Sequence, residues 1–361
     1  MNIEKRSARY GAAILIFALL LRLTGGILSP RAMAESFSRL EELGNLFEPQ
    51  RGPGGISMGT GGTIPSTAVP TIPTTFVPPE STIVPTVPTT IPTIPTAPTE
   101  PPQLPQPMPI TFAVADMDYV KFRYGTDCSY RAELQSLLLQ PLQWQLALGE
   151  PTVLIVHSHG TESFTKEPGQ DYRETSEYRT TDPAYNMIAV GEALANALRA
   201  QGISVIHDLQ QHDAASYSGA YASSRKSVEA YLEAYPSIQL VLDLHRDSAL
   251  NADGTQFATS ATVNGVRSAQ IMLLAGTDSS YGYHPGWQEN LALALKLQVL
   301  LEKANPGITR KTLLRGSVFN QDLCSGMLIV EVGTAGNTLQ EALRAMPPLA
   351  DAIVALKYGA Q

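Results

Sequence analysis

A chain of 361 residues is long enough for two domains, yet its 27 prolines are gathered so unevenly that a large part of it cannot build a core. At 43% hydrophobic and 16% charged, the composition is that of one globular domain diluted by a polar, uncharged linker. The net charge of −8 sets a repulsive field against a nucleic-acid partner. The two cysteines, Cys128 and Cys324, lack the close paired spacing of a structural zinc knuckle.

The N-terminus sets the compartment. Lys5, Arg6 and Arg9 precede an apolar run from Tyr10 to Leu21 that resumes from Leu23 to Leu28, about the 20 residues needed to cross a bilayer. Positive charge ahead of that span predicts residues 1–9 in the cytoplasm, a single-pass anchor over 10–28 and everything beyond it outside the cytoplasm. Arg22 would snorkel towards the headgroups. Ala32-Met33-Ala34 also fits a signal-peptidase site, so removal of the segment is the alternative to a retained anchor. Export would also admit a Cys128–Cys324 disulfide, against the plainer reading of two buried thiols.

Residues 29–62 run through a short amphipathic stretch into glycine-rich sequence, and 63–109 are rich in proline and threonine. The repeats Ile72-Pro73-Thr74, Val87-Pro88-Thr89, Ile91-Pro92-Thr93 and Ile94-Pro95-Thr96 favour extended polyproline-like backbone, because proline fixes φ and removes a donor. Such a linker reaches up to roughly 140 Å. A spacer through the envelope and a featureless or glycosylated stalk share this composition.

From residue 110 to 361 apolar strands alternate with amphipathic helices. Strands are expected at Thr152–Val156, Ile203–Ile206, Ile238–Leu244, Ala269–Gly276 and Met327–Val332, and helices at Ala184–Ala200, Ser223–Tyr235, Asn290–Ala304 and Pro347–Lys357. This order predicts an α/β domain with a mostly parallel sheet covered by helices on both faces.

Ligands in open α/β sheets bind at the carboxyl ends of strands, and polar residues follow three of the apolar strands here. They are His157-Ser158-His159-Gly160-Thr161-Glu162, Asp243-Leu244-His245-Arg246-Asp247, and Glu331 within Leu328-Ile329-Val330-Glu331-Val332. A catalytic zinc takes three His, Glu or Asp ligands and keeps one position open; His159, Glu162 and His245 supply such a set. A carboxylate beside the reacting water then moves its proton to the leaving nitrogen, a role that suits Glu331. Its place inside a strand is hard to explain as a solvated surface charge.

Around these, His157 is either a supporting residue or itself the ligand in place of His159. His207, Asp208, His212 and Asp213 follow a strand and would line the same cleft. Asp243 or Asp247 would fix the tautomer of His245. Arg246 is either a clamp for a substrate carboxylate or part of a structural salt bridge. Glu174, Glu177 and Asp182 are alternatives to Glu162 as the carboxylate ligand.

At these residues the sequence resembles the stage II sporulation protein P family. The resemblance rests on Val153 to Ser163, Arg179 to Asn186, Leu242 to Asp247, Phe319-Asn320-Gln321 and Leu328 to Thr338, in order. It implies a peptidoglycan hydrolase of engulfment in endospore formers, with a fold like that of zinc N-acetylmuramoyl-L-alanine amidases and cleavage of both the muramoyl-alanine amide and the peptide cross-links. It further implies a membrane segment and the partners stage II sporulation proteins D and M. Carried over by motif, His159 and His245 are metal ligands, Glu331 is the catalytic carboxylate, and Asn320 and Asn337 are substrate-binding or supporting residues. Gly160-Thr161 between the histidine and Glu162 departs from the usual family pattern. Two other classes fit the same residues, a zinc carboxypeptidase and a wall-binding module without turnover.

Overall fold

The computed structural model describes residues 108–146, 149–279 and 282–361. The expected anchor over 10–28, the glycine-rich stretch and nearly all of the linker lie outside them. Among the described residues no helix is long and apolar enough to cross a membrane. In chain order the elements are β1 (Phe122–Tyr124), α1 (Leu134–Leu139), β2 (Val153–Val156), α2 (Met187–Ala200), β3 (Val205–His207), α3 (Ala220–Ala234) and β4 (Leu240–Asp247). There follow β5 (Ser260–Val263), β6 (Val266–Ala269), β7 (Ile271–Gly276), α4 (Trp287–Ala304), β8 (Thr312–Arg315), β9 (Met327–Thr334) and α5 (Leu339–Ala355).

Seven strands form one sheet in the order β1-β8-β7-β9-β4-β2-β3, and β5 and β6 form a separate hairpin. Every neighbouring pair in the large sheet is parallel except β7 with β9. The sheet is therefore two parallel blocks of opposite direction, and β9, β4, β2 and β3 present their carboxyl ends at the same edge.

Side chains alternate between the faces with a period of two. Leu240, Leu242, Leu244, Leu328 and Val330 join the core cluster that contains Leu194 of α2, Leu295 of α4 and Leu349 of α5. Leu154, Val156, Val241 and Met327 pack with Val228 of α3 on the other face. All four residues of β2 are buried, as expected of a strand covered on both sides. The same alternation puts Asp243, His245 and Glu331 on the α3 face, where apolar packing gives way to charge.

The last helix differs from expectation. It begins at Leu339 and carries Pro347 and Pro348 in its interior, eight residues ahead of the start that the proline pair predicts. A capping box sets the true N-terminus: the Thr338 side chain accepts from the Glu341 N–H and the Glu341 side chain from the Thr338 N–H. The β5–β6 hairpin was not expected either. Its turn residues Asn264 and Gly265 have φ of 51° and 78°, positive as a tight two-residue hairpin requires. Cys128 and Cys324 are both free thiols, so the disulfide alternative does not apply to this structure.

Candidate active site

The loop after β2 is folded onto β4 by two buried carboxylates. Asp243 accepts hydrogen bonds from Ser158 N at 2.8 Å and Ser158 Oγ at 2.6 Å. Asp213 accepts from Thr161 N at 3.0 Å, Thr161 Oγ1 at 2.5 Å and Arg179 Nη1 at 2.6 Å. Gly160 packs closely against the next loop, where a Cβ would lie 3.1 Å from the Gln211 Cα. Held in this way, the loop sets the His159 ring 5.4 Å from the His245 ring, centroid to centroid, at 73°.

His245 is paired in register with Glu331 across β4 and β9. The His245 Nδ1 lies 3.7 Å from Glu162 Oε2, and its Nε2 lies 2.9 Å from Asp243 Oδ1. The second approach is close but out of line for a hydrogen bond, and Nε2 has no hydrogen-bond partner among the described residues. Two more buried atoms share that condition, His159 Nδ1 and Glu331 Oε2. Each imidazole nitrogen still faces a carboxylate, His245 Nε2 that of Asp243 at 2.9 Å and His159 Nδ1 that of Asp213 at 3.7 Å, while Glu331 Oε2 has no hydrogen-bond partner among the described residues, a costly state for a buried polar atom.

Charge here is strongly coupled. Burial alone would hold the Glu162 carboxyl protonated, but Arg246, His245 and Arg179 outweigh it and bring its pKa down to about 2. Burial also opposes a charged His245, yet Asp243 and Glu162 raise its pKa well above the ordinary value. Glu331 goes the other way. Desolvation, with Asp247 and Glu162 adding repulsion, pushes its pKa up to about 8 against the opposing pull of His245 and Arg246.

The remaining expected residues have structural employment. His157 turns away from the centre, with Nδ1 3.1 Å from Leu244 O and Nε2 2.9 Å from His207 Nε2. Burial, then His207, lowers its pKa to about 3, so the ring is neutral. Arg246 is consumed by the fold: its Nε donates to Ser163 O, its Nη2 to Tyr178 O and its backbone N–H to Glu162. It is a structural arginine, and the reading as a carboxylate clamp gives way. Asp247 pairs with Arg310 at 2.7 Å, leaving Asp243 as the aspartate beside His245.

His212 joins Ser223 Oγ to Asp208. Asn320 sits in left-handed backbone at φ 60° and donates to Tyr221 O and Ser224 Oγ. Asn337 accepts from Thr334 N and Thr259 N and donates to Thr259 O and Glu341. It ties the end of β9 to neighbouring loops. Glu174, Glu177 and Asp182 are exposed.

Three contributors were not expected. Arg179 joins Asp213 to Glu162, with Nη2 3.1 Å from Glu162 Oε1. Tyr217 stacks on His159 at 4.5 Å, and Tyr221, in the first turn of α3, lies parallel to His245 at 6.2 Å. Arg179 stands in a quoted stretch of sequence, but its use depends on a loop folding back over β2. The tyrosines carry no local signal at all.

The side chains gathered here are of the types that ligate zinc. Its ligands are imidazole nitrogens and carboxylate oxygens, and Zn–N bonds of about 2.1 Å would set two ligating rings roughly 5 Å apart, close to the observed separation. Glu162 contributes a carboxylate that stays ionised, though Arg179 and Arg246 already hold it. Among the described residues, no three His, Cys, Asp or Glu side chains are gathered tightly enough to hold an ion without adjustment.

The fold and this centre define an α/β domain with a buried imidazole–carboxylate site at the carboxyl ends of its parallel strands. The family model of stage II sporulation protein P matches residues 117–354, and the chain belongs to that family. Stage II sporulation protein P of Bacillus subtilis (strain 168) is 30% identical over 220 residues, covering 58% of this chain and 52% of the relative. The chain thus spans about half the length of that curated relative.

Among solved structures, the N-acetylmuramoyl-L-alanine amidase AmiC2 of Nostoc punctiforme is similar at a TM-score of 0.35 and 16% identity, over 58% of this chain and 98% of that one. The catalytic domain of CwlV, an N-acetylmuramoyl-L-alanine amidase from Bacillus (Paenibacillus) polymyxa var. colistinus, gives 0.33 and 14%, over 57% and 94%.

Proposed function

We propose that this chain is a zinc-dependent peptidoglycan hydrolase, an N-acetylmuramoyl-L-alanine amidase with cross-link endopeptidase activity. It would act from the outer face of the membrane, anchored by residues 10–28, during engulfment in sporulation and alongside stage II sporulation proteins D and M. The observation that carries the reading is the convergence of two buried imidazoles, His159 and His245, with the buried carboxyl of Glu331, brought in by three different strands. His159 and His245 would hold the ion, with Glu162 as the carboxylate ligand.

Bound there, zinc supplies Lewis acidity toward the scissile carbonyl. The chain's own residues do the rest. Glu331, buried and raised to a pKa of about 8 without a cation, would be brought to its ionised form by the charge of a bound ion, and would then take the proton of an attacking water and pass it to the leaving amide nitrogen. Asp243 holds the loop that carries His159, and Tyr217 and Tyr221 wall the imidazoles. Arg246, committed to backbone carbonyls, does not itself offer a clamp for a terminal carboxylate.

Digestion of purified sacculi, with products identified by mass, tests this. The expected products are stem peptides with a free alanine amino group, and Glu331→Gln should keep its zinc while losing at least about a hundredfold in rate. Cleavage only at free peptide ends would favour a carboxypeptidase, and wall binding without products would leave a binding module.

A further inference from the structure

The centre is rich in carboxyl groups, with Glu162, Asp213, Asp243, Asp247 and Glu331 around it, in a chain of net charge −8. A substrate bearing carboxylates, as stem peptides do, meets repulsion there unless a cation is available to receive it. Arg179 is committed to Glu162 and Asp213, Arg246 to Glu162 and two carbonyls, and Arg310 to Asp247. Arg123 is not committed to any carboxylate.

Arg123 lies on β1, the edge strand, opposite Leu313 of β8. Its side chain is directed inward over the sheet, and Nη2 approaches Met272 Sδ of β7 at 3.7 Å. Met272 is paired in register with Glu331. The guanidinium therefore reaches from the edge strand across β8 towards the β7 residue that pairs with Glu331, on the face that carries Glu331. The sheet face between them is apolar, with Met272, Leu274, Leu313 and Ile329 buried and Tyr221 and Phe319 packed against them. Among the described residues the one partner of this exposed side chain is the Met272 thioether at Nη2, so most of the guanidinium fork that carboxylates occupy is unfilled.

We propose that Arg123 is a substrate-positioning residue that binds a carboxylate of the stem peptide, away from the scissile bond, while the amide lies over Glu331. The proposal rests on the amide-hydrolase reading and specifies which substrates it favours: stem peptides with free carboxylates over their amidated forms.

The test compares a free-carboxylate muropeptide with its amidated counterpart on full-length wild type, Arg123→Gln and Arg123→Lys. For the free acid, Arg123→Gln should raise KM about tenfold or more with kcat held within about twofold, as expected when uniform binding is lost. It should leave the amidated substrate unchanged, and Arg123→Lys should recover part of the preference. Equal losses on both substrates, or an undiminished preference for the free acid in Arg123→Gln, would overturn the proposal. Equilibrium binding of the same two ligands, repeated in a Glu331→Gln background, separates it from the parent reading. If wild type binds the free acid selectively but cleaves neither ligand, hydrolysis fails and the anchor stands; selective cleavage unaffected by Arg123→Gln has the opposite meaning.

Discussion

A buried carboxyl with no bound cation beside it keeps its proton, and at Glu331 this links folding, metal and pH. Below pH 4.5, its ordinary pKa, the group is protonated in folded and unfolded chains alike. As pH rises from there towards about 8 the unfolded chain ionises first, so the folded state loses stability across that window. Urea midpoints of metal-free wild type should fall over this range relative to those of Glu331→Gln. Parallel profiles would place Glu331 in water.

His245 adds to the effect with the opposite charge, since its raised pKa keeps a proton on a ring that must lose one to ligate. Zinc binding should therefore release protons and tighten as pH rises. Calorimetry in buffers of different ionisation heat reads this directly, and a buffer-independent heat would contradict it.

At the scale of elements, α2 shows how packing overrides propensity. Replacing a helical glycine by alanine ordinarily adds about 0.5–1 kcal/mol of stability. At Gly191 the added Cβ would lie 2.4 Å from Nε2 of both His157 and His207. Gly191→Ala should instead destabilise by about 1–3 kcal/mol in thermal denaturation, and a higher melting temperature would refute the buried histidine pair. Thr338→Ala should cost about 1 kcal/mol through loss of the α5 cap, seen in the same measurement.

Several elements were legible before folding was considered. β4 and β9 are apolar runs whose alternation carries Asp243, His245 and Glu331 onto one face, so their chemistry follows from a period of two. Pro347-Pro348 reads as a boundary in the sequence, while the Thr338–Glu341 box that sets the start of α5 begins nine residues earlier. Arg179 and Tyr221 escaped notice for a different reason. Their roles arise from a loop and a helix brought beside β4 by tertiary packing, and no spacing in the chain encodes that approach. Arg246 had the right chemistry for a clamp, but its donors are used by the loop folded over it.

At the scale of the molecule, the two parallel blocks of the sheet divide the work. β9, β4 and β2 deliver the imidazoles and the carboxyl to one edge, and β7, β8 and β1 extend the same face into an apolar apron that ends at Arg123. The central claim is that this edge forms a metal-dependent hydrolytic centre. The most direct measurement is release of stem peptide from muropeptides by the purified full-length protein before chelation, after it, and after zinc is restored. The account predicts release that stops on chelation and returns with zinc in wild type and does not return in His159→Ala or His245→Ala. Undiminished release from chelated protein would contradict it.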